Sequence, residues 1–143
     1  MISKIALLGP ICLLVSCLGT PVSASAADMA KLLQDLRSND PQKVELAIET
    51  ITDLGPSAAK AVPELTKLLT SGDANTRAHA AHALGKIGKA ALPAAGALAK
   101  LITDEKPAVR YAALDALGEI EPGPEMVVPL MIASLGDQNP AVI

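Results

Sequence analysis

Apolar residues recur along this chain in two registers at once. Within short stretches they fall at helical spacing. Ala47, Ile51 and Leu54 stand at i, i+4 and i+7, as do Ala80, Leu84 and Ile87, so each set forms one stripe of a helix. Over the whole chain the same positions return every 33 residues. One ladder runs Leu32, Leu65, Leu98, Met131 and a second runs Leu36, Leu69, Ile102, Leu135. Others join Ala47, Ala80 and Ala113, then Ile51, Leu84 and Leu117, then Leu54, Ile87 and Ile120. Unrelated amphipathic helices would drift out of phase, so a fixed step without insertion marks a repeat array.

The ladders predict two helices per unit. First helices are expected over 41–54, 74–87 and 107–120, and second helices over 60–70, 91–103 and 125–135. Asp40 before Pro41 and Asn139 before Pro140 read as side-chain caps preceding a proline whose missing N–H costs nothing at a helix start. Gly55 with Pro56, Gly88, and Pro122 with Gly123 and Pro124 close the first helices. Pro63 and Pro129 then fall near the starts of second helices, where proline is tolerated. Residues 28–37 match the second-helix ladders and form a capping half-unit, while Pro140 to Ile143 begin a fourth first helix. Gly85 and Gly118 share one column inside first helices, where Gly costs about 1 kcal/mol relative to Ala; close helix approach is the expected reason. Helices of this length are marginal alone, so each unit must lean on its neighbours. The expected fold class is all-α, a right-handed α–α superhelix of about three repeats, with Leu130, Met131 and Leu135 on an exposed apolar flank.

The runs Ala83-Leu84-Gly85-Lys86-Ile87-Gly88 and Ala116-Leu117-Gly118-Glu119-Ile120, each preceded by an arginine, Arg77 or Arg110, resemble the HEAT-like repeats of the phycobilisome-lyase group. Ala61-Val62-Pro63-Glu64-Leu65 and Val127-Val128-Pro129-Leu130 are similar to the second half of that repeat. The first unit departs from the pattern, with Val44 in the arginine column and Thr52-Asp53-Leu54-Gly55 in place of the glycine-bearing run. Ankyrin repeats share the period, but their Thr-Pro-Leu-His signature is absent. The resemblance implies a non-catalytic solenoid that binds or scaffolds another protein. Some members of the group are bilin lyases or iron-dependent hydroxylases of deoxyhypusine, which makes an accessory enzyme the alternative.

Composition narrows the picture. With 143 residues, 50% apolar and 19% charged, the chain has one domain's worth of core. There is no Trp, no Phe and a single Tyr, Tyr111, so the core is built from Ala, Leu, Ile and Val. The start differs from the rest: Lys4 is basic, Ile5 to Val15 is apolar apart from Gly9 and Pro10, and no acid precedes Asp28. That is the pattern of a secretory signal over residues 1–26, and the run is shorter than the roughly 20 residues of a membrane span. Two exits are open. Ala24-Ser25-Ala26 is a small-residue cleavage site, leaving a repeat domain over 28–143. Alternatively Leu14-Val15-Ser16-Cys17 resembles the lipobox of bacterial lipoproteins, in which lipid on Cys17 would hold the chain on a bilayer. The expected location is therefore outside the cytoplasm, in the periplasm or on an envelope membrane, or secreted. Without Lys4, 11 basic residues face 15 acidic ones and the formal charge moves from −3 to −4, which disfavours a nucleic-acid backbone as partner.

Candidate chemistry is sparse. His79 and His82 are three apart on one helix, a spacing that can hold a metal but with too few ligands. Each is followed by Ala, not by the Glu of the hydroxylases, so a partly buried His79 and a solvated His82 are expected and no metal. No serine–histidine–acid set, phosphate loop or cysteine cluster is present, so neither catalytic residue nor cofactor is expected. Arg77 and Arg110 are expected to pair with boundary acids such as Asp73 or Asp104 and to hold units in register. Lys60, Glu64, Lys67 and Lys100 fall on the outward side of second helices, which usually lines the concave face of such stacks. These four are the expected partner-binding residues.

Overall fold

The computed structural model describes residues 25–134. The Cys17 lipidation site, residues 1–24 of the expected signal, Leu135 and the 139–143 start of a fourth unit lie outside that range. So do the side chains of Leu130 and Met131. Among the described residues every regular element is helical: α1 (Ala26–Leu36), α2 (Pro41–Leu54), α3 (Val62–Leu68), α4 (Ala74–Ile87), α5 (Ala95–Leu101), α6 (Pro107–Ile120) and α7 (Pro124–Ser134), with 3-10 segments at Gly55–Ala61 and Gly88–Ala94. The three first helices, α2, α4 and α6, keep the expected bounds.

The starts follow from local chemistry. The Asp40 carboxylate accepts the amide of Gln42 at 3.1 Å, and the Asp73 carboxylate accepts that of Thr76 at 3.0 Å, which satisfies amides that no helical carbonyl can reach. α1 opens on a capping box in which Ser25 Oγ accepts the Asp28 amide at 3.2 Å while Asp28 accepts the Ser25 amide at 3.1 Å. The helix therefore begins two residues ahead of the expected domain boundary. Gly55 and Gly88 end α2 and α4 with φ of 53° and 74° and ψ of −130° and −140°, a region that only glycine enters freely.

Second helices are shorter than expected. Seven residues, beginning with each of these glycines, wind as a 3-10 helix before the α-helix starts at Val62 or Ala95. Pro56 and Pro93 contribute to this, since a proline cannot donate to an α-helical ladder. The apolar ladders are blind to it because both helix types bury the same stripe. Pro129 is also not near a helix start, since it is the sixth residue of α7; Pro124 opens α7 one residue ahead of the expected boundary, and Pro129 leaves a gap in its ladder.

The ladders meet in one continuous core. Leu65, Leu98, Leu69, Ala80, Ala113, Ile51, Leu84, Ile87 and Ile120 are all buried. α4 lies between α2 and α6, the second-helix segments cover the other side, and α1 covers α2 and the first 3-10 segment, as its half-unit ladder implied. α4 and α6 approach closely at Gly85, where a Cβ would stand 2.9 Å from Ala116 Cα. Close approach therefore explains Gly85. It does not explain Gly118, where a Cβ would meet nothing within 4 Å among the described residues.

Candidate protein-binding surface

The arginines of the array serve its seams. Arg77 on α4 grips Asp104 through Nε–Oδ2 at 2.9 Å and Nη2–Oδ1 at 3.1 Å, and donates from Nη1 to the carbonyls of Ser71 and Gly72 at 2.8 and 3.1 Å. Both side chains are largely enclosed, at 12% and 9% exposure. Arg110 repeats the backbone half of this clamp, donating to the carbonyls of Asp104 and Glu105 at 2.9 and 3.3 Å. The expectation that these arginines hold units together is met through Asp104; Asp73 is spent on capping α4. Burial pushes the Asp104 carboxyl up, but the hydrogen bond from Arg77 and the backbone amide of Lys106 outweigh it and leave the group below its ordinary value.

Glu64 departs from its expected outward placement. It is only 8% exposed, because α3 starts late and Arg37 reaches over from the preceding unit to bond its Oε1 at 2.6 Å. Lys67 Nζ lies 3.2 Å from both carboxylate oxygens. The Arg37 hydrogen bond, against the opposing effect of burial and with help from Lys67, lowers its pKa. Glu64 is thus a seam residue that neutralises local cations. Lys60, Lys67 and Lys100 are exposed, as expected.

Between the two second-helix segments lies an open groove of about 420 Å³ lined by Ala59, Val62, Pro63, Thr66, Ala90 and Pro93. Leu92, next to Pro93, is half-exposed. The ladders did not signal this groove, because its lining is mostly small residues and prolines that belong to no buried column. Four lysines, Lys60, Lys67, Lys89 and Lys100, sit on these segments against one acid, the buried Glu64.

The opposite, first-helix side carries acids and cations in near balance: Glu45, Glu49, Asp53, Asp115 and Glu119 stand with Lys43, Arg77, Lys86 and Arg110. A smaller groove of about 270 Å³ is lined by Ile48, Glu49, Thr52, Asp53, His79 and His82. His79 Nδ1 is 3.9 Å from Glu45 and His82 Nδ1 is 3.8 Å from Asp115. Both imidazoles are about half-exposed, so the expected contrast between a partly buried His79 and a solvated His82 is not found; the inward-facing neighbours of His79 are Ala78 and Ala80. Among the described residues no group of three or more His, Cys, Asp or Glu is disposed to hold a metal ion, and no helix is long and apolar enough to cross a membrane.

Helical pairs repeated in step along the chain are also what the family comparison finds. Models of HEAT repeats match residues 29–99 and 96–123. The chain belongs to the HEAT-repeat proteins. Its HEAT array is also similar to the crystal structure of an engineered protein, a Northeast Structural Genomics Consortium target, with a TM-score of 0.66 at 30% identity. That likeness covers 80% of this chain and 57% of the engineered one, so the chain spans little more than half its length. No curated protein matches the chain. HEAT repeats commonly mediate protein–protein interaction or scaffolding.

Proposed function

We propose that this chain is a non-catalytic binding module of the cell envelope that holds another protein on its second-helix face. The observation that carries the reading is the second-helix side itself, where four lysines face one buried acid beside an open apolar groove, while the first helices carry both signs in near balance. The likeness of Ala83–Gly88 and Ala116–Ile120 to lyase-type repeats concerns helix packing, since Gly85 is explained by contact with Ala116. An accessory enzyme of the bilin-lyase or metal-dependent hydroxylase type is the alternative, and turnover or a bound tetrapyrrole with purified protein would establish it.

Export is supported by the basic start and apolar run ahead of Asp28. Cleavage after Ala26 would remove Ser25 and break the capping box of α1, whereas lipid attachment at Cys17 would keep it. The lipobox-like run Leu14-Val15-Ser16-Cys17 supports the second route. An intact mass ending in an acylated Cys17 is expected, and a mature terminus at Ala27 would refute it.

The reading is tested by crosslinked capture from envelope fractions, comparing the parent with a Lys60→Glu/Lys100→Glu variant. Lys67 is kept because it also serves Glu64. One partner captured by the parent and lost by the variant, with equal thermal stability of the two, is expected. Empty captures would overturn the reading.

A further inference from the structure

We infer that the groove between the second-helix segments docks an acidic segment of a partner protein that also carries apolar side chains; this rests on the binding-module reading and specifies its partner. The floor and walls are apolar and largely fixed. Val62 lies buried at the base, Pro63 and Pro93 hold the backbone where a proline ring restricts it, and so little ordering is left for the moment of binding. The one hydroxyl in the lining, on Thr66, is already committed to the Val62 carbonyl at 2.7 Å. Recognition there must therefore come from apolar contact and charge.

The charge is positive. Glu64 is held by Arg37 and Lys67, and Lys89 pairs with Glu121 at 2.9 Å. Lys60 and Lys100 have no acid within ion-pair distance among the described residues, in a chain of net charge −3. Lys60, Lys67 and Lys89 adjoin the groove residues Ala59, Thr66 and Ala90, and Lys100 lies further along the same face. Such cationic surroundings on an acidic protein select an anionic partner and repel a cationic one. At about 420 Å³ and open to solvent, the groove suits several side chains of a peptide segment.

The test is fluorescence anisotropy of the full chain with three short labelled peptides: alternating Glu and Leu, the same with Lys for Glu, and the same with Ser for Leu. The Glu/Leu peptide is expected to bind and the other two to bind at least about tenfold more weakly. Lys60→Glu/Lys100→Glu, and separately Ala90→Glu in the groove, should each weaken the Glu/Leu peptide by about tenfold or more with an unchanged melting curve. Equal binding of the Lys/Leu peptide, or indifference to both variants, would overturn the inference. Capture of a partner without binding of the acidic peptide would also overturn it while leaving the binding-module reading intact, and failure of both would remove both. Concentration-dependent association in sedimentation, abolished by the lysine variant, would make a second copy the occupant and equally overturn the proposal.

Discussion

Gly85 and Gly118 occupy the same column of successive units, yet alanine should stabilise only at Gly118. Each sits inside a first helix, where replacing Gly by Ala gains about 1 kcal/mol from backbone propensity. At Gly118 nothing lies within 4 Å of the added methyl among the described residues, so that gain should appear nearly in full. At Gly85 the methyl would stand 2.9 Å from Ala116 Cα and 3.2 Å from Ala116 Cβ. Ordinary carbon contacts need about 3.5–4.0 Å, and the obstacle is backbone, which no rotamer change can clear. α4 and α6 must part, loosening the contacts of Ala80, Leu84 and Ala113. Overpacking of this kind costs about 1–3 kcal/mol, which cancels or exceeds the propensity gain. The two variants should therefore differ by about 2 kcal/mol in unfolding free energy, read from urea midpoints by circular dichroism at constant slope. Equal stabilisation by both would show that α4 and α6 do not approach as described.

Four further outcomes follow from the same structure. Glu121 stands in the column of Gly55 and Gly88 with φ of 55°; Glu121→Gly should stabilise the fold by about 1 kcal/mol, less whatever the exposed pair with Lys89 contributes, and a lowered melting temperature would contradict this. Gly88→Ala, at φ of 74° and ψ of −140°, should destabilise by more than about 1 kcal/mol in the same assay, and a neutral result would refute the strain argument. Glu64 and Asp104 both have lowered folded pKa values, so their contribution to stability is complete above the unfolded values near pH 4 and is lost as pH falls through the folded ones. Denaturation midpoints should thus hold from pH 7 to 5 and fall below about pH 4, less steeply in Asp104→Asn. Ser25→Ala should cost about 1 kcal/mol by removing the cap of α1, and unchanged amide exchange in residues 26–30 would argue against that capping box.

The fold was legible because an array repeats its own evidence. Bounds of α2, α4 and α6 followed from the ladders together with Asp40, Gly55 and Gly88, each a local signal with one meaning. The second helices were misjudged where two backbones bury the same stripe: after Gly55 and Gly88 the chain winds as a 3-10 helix, and period alone does not separate it from α. Arg77 could be assigned to the boundary acids, Asp73 or Asp104, because few acids stand there; the choice of Asp104 needed the structure, which shows Asp73 spent on the cap of α4. Glu64 could not, since its partner Arg37 comes from another unit and a long side chain can turn either way from its column. The groove was invisible because Ala59, Pro63, Ala90 and Pro93 carry neither charge nor bulk, and only their placement side by side gives them meaning.

The central claim is that partners are held on the second-helix face. Site-specific photo-crosslinking tests it most directly, with a photoreactive residue placed in turn at Ala59 and Ala90 in the groove and at Leu46 and Tyr111, which are exposed on first helices. Adducts with one partner at Ala59 and Ala90, and none at Leu46 and Tyr111, are the predicted result. Adducts confined to Leu46 and Tyr111 would place the binding surface on the wrong side of the array and contradict the account.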